Sequence, residues 1–457
     1  MFDRTEEAHY FEQEEPRSGR RSRTPRMLLA VGATTVLGAG ILGGAALLRG
    51  DGGVTTPPVR WEAIAIADRL TGDLSLLDET GSVLTGATLP SFGGVDRLVT
   101  GAGDVAARSG VDLFLNPFED DPPTVPLPPG AALRAIQAPG AGTVLIGGTG
   151  DDLTITSLSP TASSPARTLS SITGEPTPRY PVADVRADAS GTMLAVPDAT
   201  NFQTVVVNLS ADTITYFPDL PLALRGDLVV TAQRVGDRME LGLFAASGER
   251  LRTVPTEVIV GGTIPPSASR FVFITRGGEI WSARPTQSDA ERIGAISGPS
   301  MVTSVRAALD GRRLVVGSEG VVAVVDVDGE SVLRRESPGI LDEGTDVASR
   351  CMTLRLGTTI ELIDLDNGAL ITSVSDVDVT ARSHDGCLLA VNGPSGAALM
   401  GSGGVTPVGG SVLAVAPDSS AAIVSESGVL SLVRYRDGID ETVALDVRGD
   451  LAEFVAS

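Results

Sequence analysis

Residues 305–336 read VRAALDGRRLVVGSEGVVAVVDVDGESVLRRE, and their punctuation decides the fold. The stretch divides into a strand, a tight turn at Asp310-Gly311, a strand RLVVGS, a strand VVAVVDV, a turn at Asp328-Gly329 and a strand ESVLRRE. Asp-Gly pairs suit tight hairpins because both residues tolerate positive φ. Short Val- and Leu-rich runs between such turns read as strands. The layout recurs at ADVRADASGTMLAVPD, at VTARSHDGCLLAVN and at LAVAPDSSAAIVSES. Gly191, Gly311, Gly386 and Ser419 fill one turn position, and LAV, LVV, LAV and AIV begin three residues after it. Pro266-Ser267-Ala268 before FVF and Pro139-Gly140-Ala141 before VLI follow the template more loosely. A third-strand echo runs through VVDVDG, LIDLDNG and VVVNLSAD.

Outward from that stretch, the chain from Trp61 to its end shows no long helical periodicity, so an all-β fold is expected. Ten second strands can be counted, at a period of about 40 residues, the length of a four-stranded propeller blade. The first unit opens on what reads as a second strand, WEAIAIADR, with no inner strand before it. The closing segment LAEFVAS is expected to supply that strand, shutting the sheet set and removing an open edge. Ten units exceed the usual range of about 4–8 blades. A large ring of 7–10 blades, two smaller rings and irregular half-units all stay open.

The turn x-[Pro/Leu/His]-Asp-Gly-x-x-Leu-[Ala/Val]-Val, followed by a Val-Ile-Asp-Leu-x-x-Gly-like strand and turn, resembles YVTN-type and WD-repeat-like β-propeller repeats across residues 61–457. The resemblance implies a propeller and no particular activity, because such repeats serve unrelated functions. Neither the Trp-Asp dipeptide of WD repeats nor the tryptophan motif of quinoprotein blades is present.

Met27 to Leu48 is a run of 22 residues without a charge. As a helix it would reach roughly 33 Å, enough to cross a bilayer core. Arg17, Arg20, Arg21, Arg23 and Arg26 precede it and only Arg49 follows. The positive-inside rule then places residues 1–26 in the cytoplasm and residues 61–457 outside. The run exceeds the core of about 7–15 residues typical of a signal peptide, which favours an uncleaved anchor. Gly40 and Gly44 form a GxxxG that would let two such helices approach closely, although glycine and alanine are abundant throughout the span. The tail 1–26 carries six charges of each sign and reads as disordered. Residues 49–60 read as a Gly/Pro/Thr linker.

The whole chain has 457 residues, 57 acidic and 35 basic side chains, and a net charge of −22. Because the tail is balanced, that charge belongs to the propeller, and it argues against nucleic-acid partners. No lysine occurs, which removes Walker-type phosphate binding and Schiff-base chemistry. One of the two histidines, His9, lies in the tail, and His384 occupies the turn position that Leu309, Pro417 and Ala189 fill elsewhere. It is read as a turn residue rather than a catalytic one. No G-x-S-x-G and no H-E-x-x-H is present. The acidic segments DVDGE (Asp326 to Glu330), DLDNG (Asp364 to Gly368) and FEDDPP (Phe118 to Pro123) match no EF-hand loop. The first two read as hairpin turns and the third as a solvated loop. No metal site and no cofactor is assigned. Trp61 and Trp281 are expected to pack between blades.

Cys351 and Cys387 are the only cysteines. Their separation of 36 residues is close to one repeat, so both fall just past the first turn of consecutive blades. Neighbouring blades pack face to face, and a bridge between these positions is expected. The function expected is that of a membrane-anchored, extracytoplasmic propeller acting as a binding or scaffold module of a bacterial cell envelope. Its partner would be an envelope or secreted protein or a small ligand, and the span gives a possible route to self-association. The alternative is an extracytoplasmic lactonase- or glycosidase-like hydrolase that uses carboxylates and calcium.

Overall fold

The computed structural model describes residues 59–456 with interruptions, of which 169–185 is the longest. The expected tail, its arginines Arg17, Arg20, Arg21, Arg23 and Arg26, the span 27–48 with Gly40 and Gly44, and most of the linker lie outside the described residues. Among the described residues no helix is long and apolar enough to cross a membrane.

These residues form ten four-stranded antiparallel sheets, each ordered from an inner to an outer strand. The sheets are the blades of a β-propeller. Blade 1 takes strands from 61–88, and blades 2 to 5 span 97–126, 132–168, 186–218 and 220–256. Blades 6 to 10 span 259–295, 302–336, 346–375, 378–407 and 411–445. Blade 7 divides as its sequence reads: Val302–Ala307, Arg313–Ser318, Val321–Asp326 and Ser331–Glu336. The described residues thus settle the open range of 7–10 at ten blades.

Burial explains the strand compositions. The third strand of blade 7, Val321–Asp326, is buried at five successive positions, because a middle strand is covered on both faces by neighbouring blades. It therefore reads as a continuous apolar run rather than an alternating one. The outermost strand of blade 10, Ile439–Leu445, is exposed at its first four positions and carries Asp440 and Glu441. Charge on that edge discourages pairing with another chain.

Among the described residues, apolar clusters join many neighbouring blades. Val315 and Val324 of blade 7 pack with Met352 and Ile363 of blade 8. Leu362 of blade 8 joins Leu389 and Met400 of blade 9, and Leu399 of blade 9 joins Val424 and Val433 of blade 10. Comparable clusters link blades 4 to 5, 5 to 6 and 6 to 7. Trp61 sits in the cluster between blades 10 and 1, edge-on to Phe454 at 4.9 Å, and its Nε1 donates to Ser420 Oγ at 2.8 Å. Trp281 packs more shallowly against the cluster of blades 5 and 6.

The ends of the array meet as expected. Leu451–Ala456 pairs antiparallel with Trp61–Ala67 and becomes the inner strand of blade 1. Inner strands of blades 10, 1 and 2 touch one another in turn, so the C-terminal strand closes the sheet set instead of leaving an edge.

The shared turn position also keeps its conformation. Gly311 and Gly386 have φ of 75° and 80°, and Ser419 takes 65° in the same place. A side chain at Gly386 would meet Ala348 Cβ at 2.5 Å and the Cys351 carbonyl oxygen at 2.8 Å. Glycine is needed there for the backbone angle and for the close approach of blade 8. Gly191 lies outside the described residues.

Candidate functional site

The first turns of blades 7 to 10 converge at one mouth of the central channel, where they enclose a cavity of 280 Å³. Blade 9 contributes Arg382, Ser383 and His384, and blade 10 contributes Val415 and Pro417. Leu309 enters from blade 7, and Val347 and Ala348 from blade 8. The closing strand supplies Glu453 and Phe454, and blade 2 supplies Thr100. Leu309, His384 and Pro417, equivalent by repeat alignment, thus become neighbours in space. His384 is the turn residue its sequence position indicates, but the turn is also a cavity wall.

Most polar groups around the mouth are committed to local structure. The hydroxyls of Ser383 and Ser419 donate to Asp385 Oδ1 at 2.6 and 2.5 Å, and the Cys387 amide donates to the same oxygen at 3.0 Å. This bonding holds Ser419 in its left-handed conformation. Asp418 Oδ1 accepts from the amide and hydroxyl of Ser420 at 3.1 and 2.5 Å. Thr100 Oγ1 donates to the Phe454 carbonyl at 2.7 Å. Further round, Arg225 Nη1 on the inner strand of blade 5 donates to the carbonyls of Asp310 in blade 7 and Ile264 in blade 6, at 2.7 and 3.3 Å. One oxygen of each turn carboxylate, Asp385 Oδ1 and Asp418 Oδ1, is thus engaged by local amides and hydroxyls.

Three titratable groups line the cavity itself. Glu453 keeps substantial surface open to the channel while protein surrounds it. Burial pushes its carboxyl up to about 7, with Arg97 on the inner strand of blade 2 acting in the opposite direction. Burial lowers the His384 imidazole, Asp385 opposes that shift, and Arg382 adds to it, so His384 is neutral at pH 7. Burial also lowers the Arg382 guanidinium, which stays charged because its ordinary value is so high.

A pH dependence follows for Glu453. A carboxyl raised in the folded state contributes stability below its unfolded value, and that contribution is lost as pH rises through about 7. Water in the channel screens the group, so the penalty at pH 8 is on the order of 1 kcal/mol. Glu453→Gln is expected to raise the melting temperature of the 59–457 domain at pH 8 and leave it unchanged at pH 4. An equal effect at both pH values would show that the carboxyl does not titrate in this window.

Other sequence-derived candidates fall away from the mouth. Asp326 Oδ1 accepts the amides of Asp328 and Glu330, and Asp364 Oδ1 accepts that of Asp366. These acids cap hairpin turns, as their sequence suggests. Phe118 to Pro123 lies in the last loop of blade 2. In the first turn of the same blade Asp104 is 3% exposed, and one oxygen of its carboxyl, Oδ2, accepts no hydrogen bond among the described residues. Burial raises its pKa, the Asn116 side chain lowers it, and Glu119 raises it. Nothing in the sequence around Asp104 distinguished it from the many surface acids. Among the described residues no three His, Cys, Asp or Glu side chains are grouped to hold a metal ion.

Cys351 and Cys387 are joined by a disulfide, with Cα atoms 5.1 Å apart. The bridge ties the second strand of blade 8 to the first turn of blade 9, directly behind His384. The amides of Arg350 and Cys351 also donate to the Asp385 carbonyl, at 3.1 and 2.9 Å. Two blades that supply cavity walls are thus locked to each other at the wall.

No protein-family model matches the sequence, and no curated protein does. Solved structures do resemble the chain. The Myceliophteria thermophila Cps50 (Swd1) β-propeller domain aligns at 14% identity and a TM-score of 0.34, over 57% of this chain and 96% of that one. Kluyveromyces lactis Hsv2 aligns at 12% identity and 0.38, over 66% of this chain and 95% of that one. A eukaryotic initiation factor aligns at 9% identity and 0.48, over 86% of this chain and 98% of that one.

Proposed function

We propose that the chain is a membrane-anchored, extracytoplasmic propeller of YVTN-like repeats, acting as a ligand- or protein-binding module of a bacterial cell envelope. The observation that carries the binding reading is the channel mouth, a cavity built by six blades whose described lining holds a single carboxylate, Glu453. Glycoside hydrolysis by the usual route needs two carboxyl groups roughly 5–9.5 Å apart. A single carboxylate beside an arginine and a neutral imidazole suits recognition better. The disulfide supports an oxidising compartment. The arginine bias around residues 27–48 supports an N-terminus in the cytoplasm.

Reporter fusions after Arg26 and after Ser457 are expected to report cytoplasm and exterior respectively, and the reverse pattern would overturn the topology. The domain 59–457 is expected to give no turnover of chromogenic lactones or aryl glycosides, with or without calcium. Turnover abolished by Glu453→Gln would replace the binding reading with the hydrolase one.

A further inference from the structure

Immediately before the second strand of blade 2, Val105–Ser109, the Asp104 side chain is buried and its Oδ2 accepts no hydrogen bond among the described residues. A buried carboxylate oxygen without a partner has lost its hydration, a cost that stands unless a proton, a water or a cation answers it. The backbone around it is fixed. Gly101 N donates to the Asp104 carbonyl at 2.8 Å, and the adjoining Gly103 amide donates to the Ala456 carbonyl at 2.7 Å. The carboxyl is thus held at the seam where the ring closes.

The last loop of blade 2 packs against this turn. Asn116 N donates to the Val105 carbonyl at 2.8 Å, Glu119 N to the Asn116 carbonyl at 3.0 Å and Leu115 N to the Pro123 carbonyl at 2.9 Å. Pro117, Pro122 and Pro123 stiffen the loop, and Glu119, Asp120 and Asp121 are exposed on it. Burial foremost, and Glu119 with it, raise the Asp104 carboxyl above its ordinary value, while the Asn116 side chain bonds it and lowers it. Glu62 of blade 1 approaches the same turn, its Oε1 3.6 Å from where a Cβ on Gly103 would stand. Among the described residues none of these five carboxylates is in a salt bridge. Negative charge gathered in this way, around a buried oxygen without a partner, is what a bound cation would relieve.

We infer that Asp104 Oδ2 and the Glu119 carboxylate hold a calcium ion between the first turn and the last loop of blade 2, with water and loop carbonyl oxygens completing its shell. Calcium takes roughly six to eight oxygens at about 2.3–2.6 Å in flexible geometry, which an irregular loop can supply. Magnesium demands a regular octahedron and gives up water reluctantly, as a buried carboxylate oxygen would require of it. No third acidic, histidine or cysteine ligand joins the pair among the described residues. The affinity expected is therefore weak, a Kd of about 0.1–1 mM. None of these residues lines the channel mouth, so the site does not rest on the binding-module reading.

Equilibrium dialysis of the domain 59–457 against calcium at constant ionic strength is expected to show one site per chain above diffuse counterion binding. The melting temperature should rise over the same range of calcium. Asp104→Asn keeps the shape of the side chain, removes its charge and should lose the site. Glu119→Gln should weaken binding at least about tenfold, because charged ligands set calcium affinity. Asp326→Asn, at a hairpin turn of blade 7, should leave it unchanged. Magnesium should bind at least about tenfold more weakly than calcium.

Equal calcium binding by the wild type and Asp104→Asn would be counterion binding only and overturns the proposal. So does the absence of a discrete site in the wild type up to about 10 mM calcium, well above the expected Kd. Equal affinity for magnesium overturns the assignment to calcium. Should Asp104→Asn fail to fold, Glu119→Gln on the exposed loop decides the question, and unchanged binding in it overturns the site.

Discussion

Removing residues 450–457 is expected to destabilise the domain by roughly 5 kcal/mol or more, and to make it prone to aggregate. The segment is short, but it is an inner strand. Ala452, Phe454, Val455 and Ala456 are each at most 5% exposed; Ala452 and Phe454 sit in the cluster on one side of blade 1 and Val455 in the cluster on the other. Phe454 stacks edge-on with Trp61, and its carbonyl accepts from Thr100. The Ala456 carbonyl accepts from Gly103 at 2.7 Å, and Asp450 Oδ1 accepts from the Arg69 amide at 2.9 Å. Deletion strips all of these and exposes the ladder edge of Trp61–Ala67 to other chains. A loss of that size is a large part of the stability of an ordinary domain.

Chemical denaturation of 59–449 against 59–457 measures the loss, and equal midpoints would show that the strand is a dispensable tail. A permuted chain provides the control. Trp61 pairs with Ala456, so LAEFVAS placed just before residue 59 with a short turn should rebuild the blade as an ordinary hairpin and recover the stability.

Loss of the Cys351–Cys387 bridge is expected to cost about 3–4 kcal/mol, from the chain entropy of a 36-residue loop closed in the unfolded state. The native contacts around it should survive. The amides of Arg350 and Cys351 remain bonded to the Asp385 carbonyl, and Leu362, Leu389 and Met400 still fill the space between the blades. The double variant Cys351→Ser, Cys387→Ser should therefore fold, with a lower denaturation midpoint and an unchanged slope. Reduction of the wild-type domain should shift the midpoint to the same place. Two alkylatable thiols in the unreduced, denatured protein would remove the bridge altogether. Because the bridge stands behind His384, its loss should also loosen the cavity wall, readable as faster hydrogen exchange at 383–388 than at the equivalent turn of blade 10.

The sequence alone carried the repeating part of this protein. A turn residue that must adopt positive φ, as at Gly311 and Gly386, and an apolar run three residues later are local demands, and they recur visibly in several of the blades. The missing strand before WEAIAIADR and the spare LAEFVAS made ring closure legible too, since an unpaired edge must be satisfied somewhere. The cysteine pairing followed from the same periodicity, because equal positions in consecutive blades lie face to face.

The site was of another kind. Each repeat offered Leu309, His384 or Pro417 as a separate turn residue, and nothing local distinguished them. Only ring closure brings these turns together with Glu453, from a strand near the chain's end, and Thr100, from blade 2. The same holds for charge: composition gave a uniformly acidic propeller, whereas only the folded chain places Arg382, His384 and Glu453 around one cavity and bonds Asp385 and Asp418 into their turns. Periodicity records which residues are equivalent. Which of them meet depends on contacts between distant parts of the chain, and those form only when the sheets pack around a common axis.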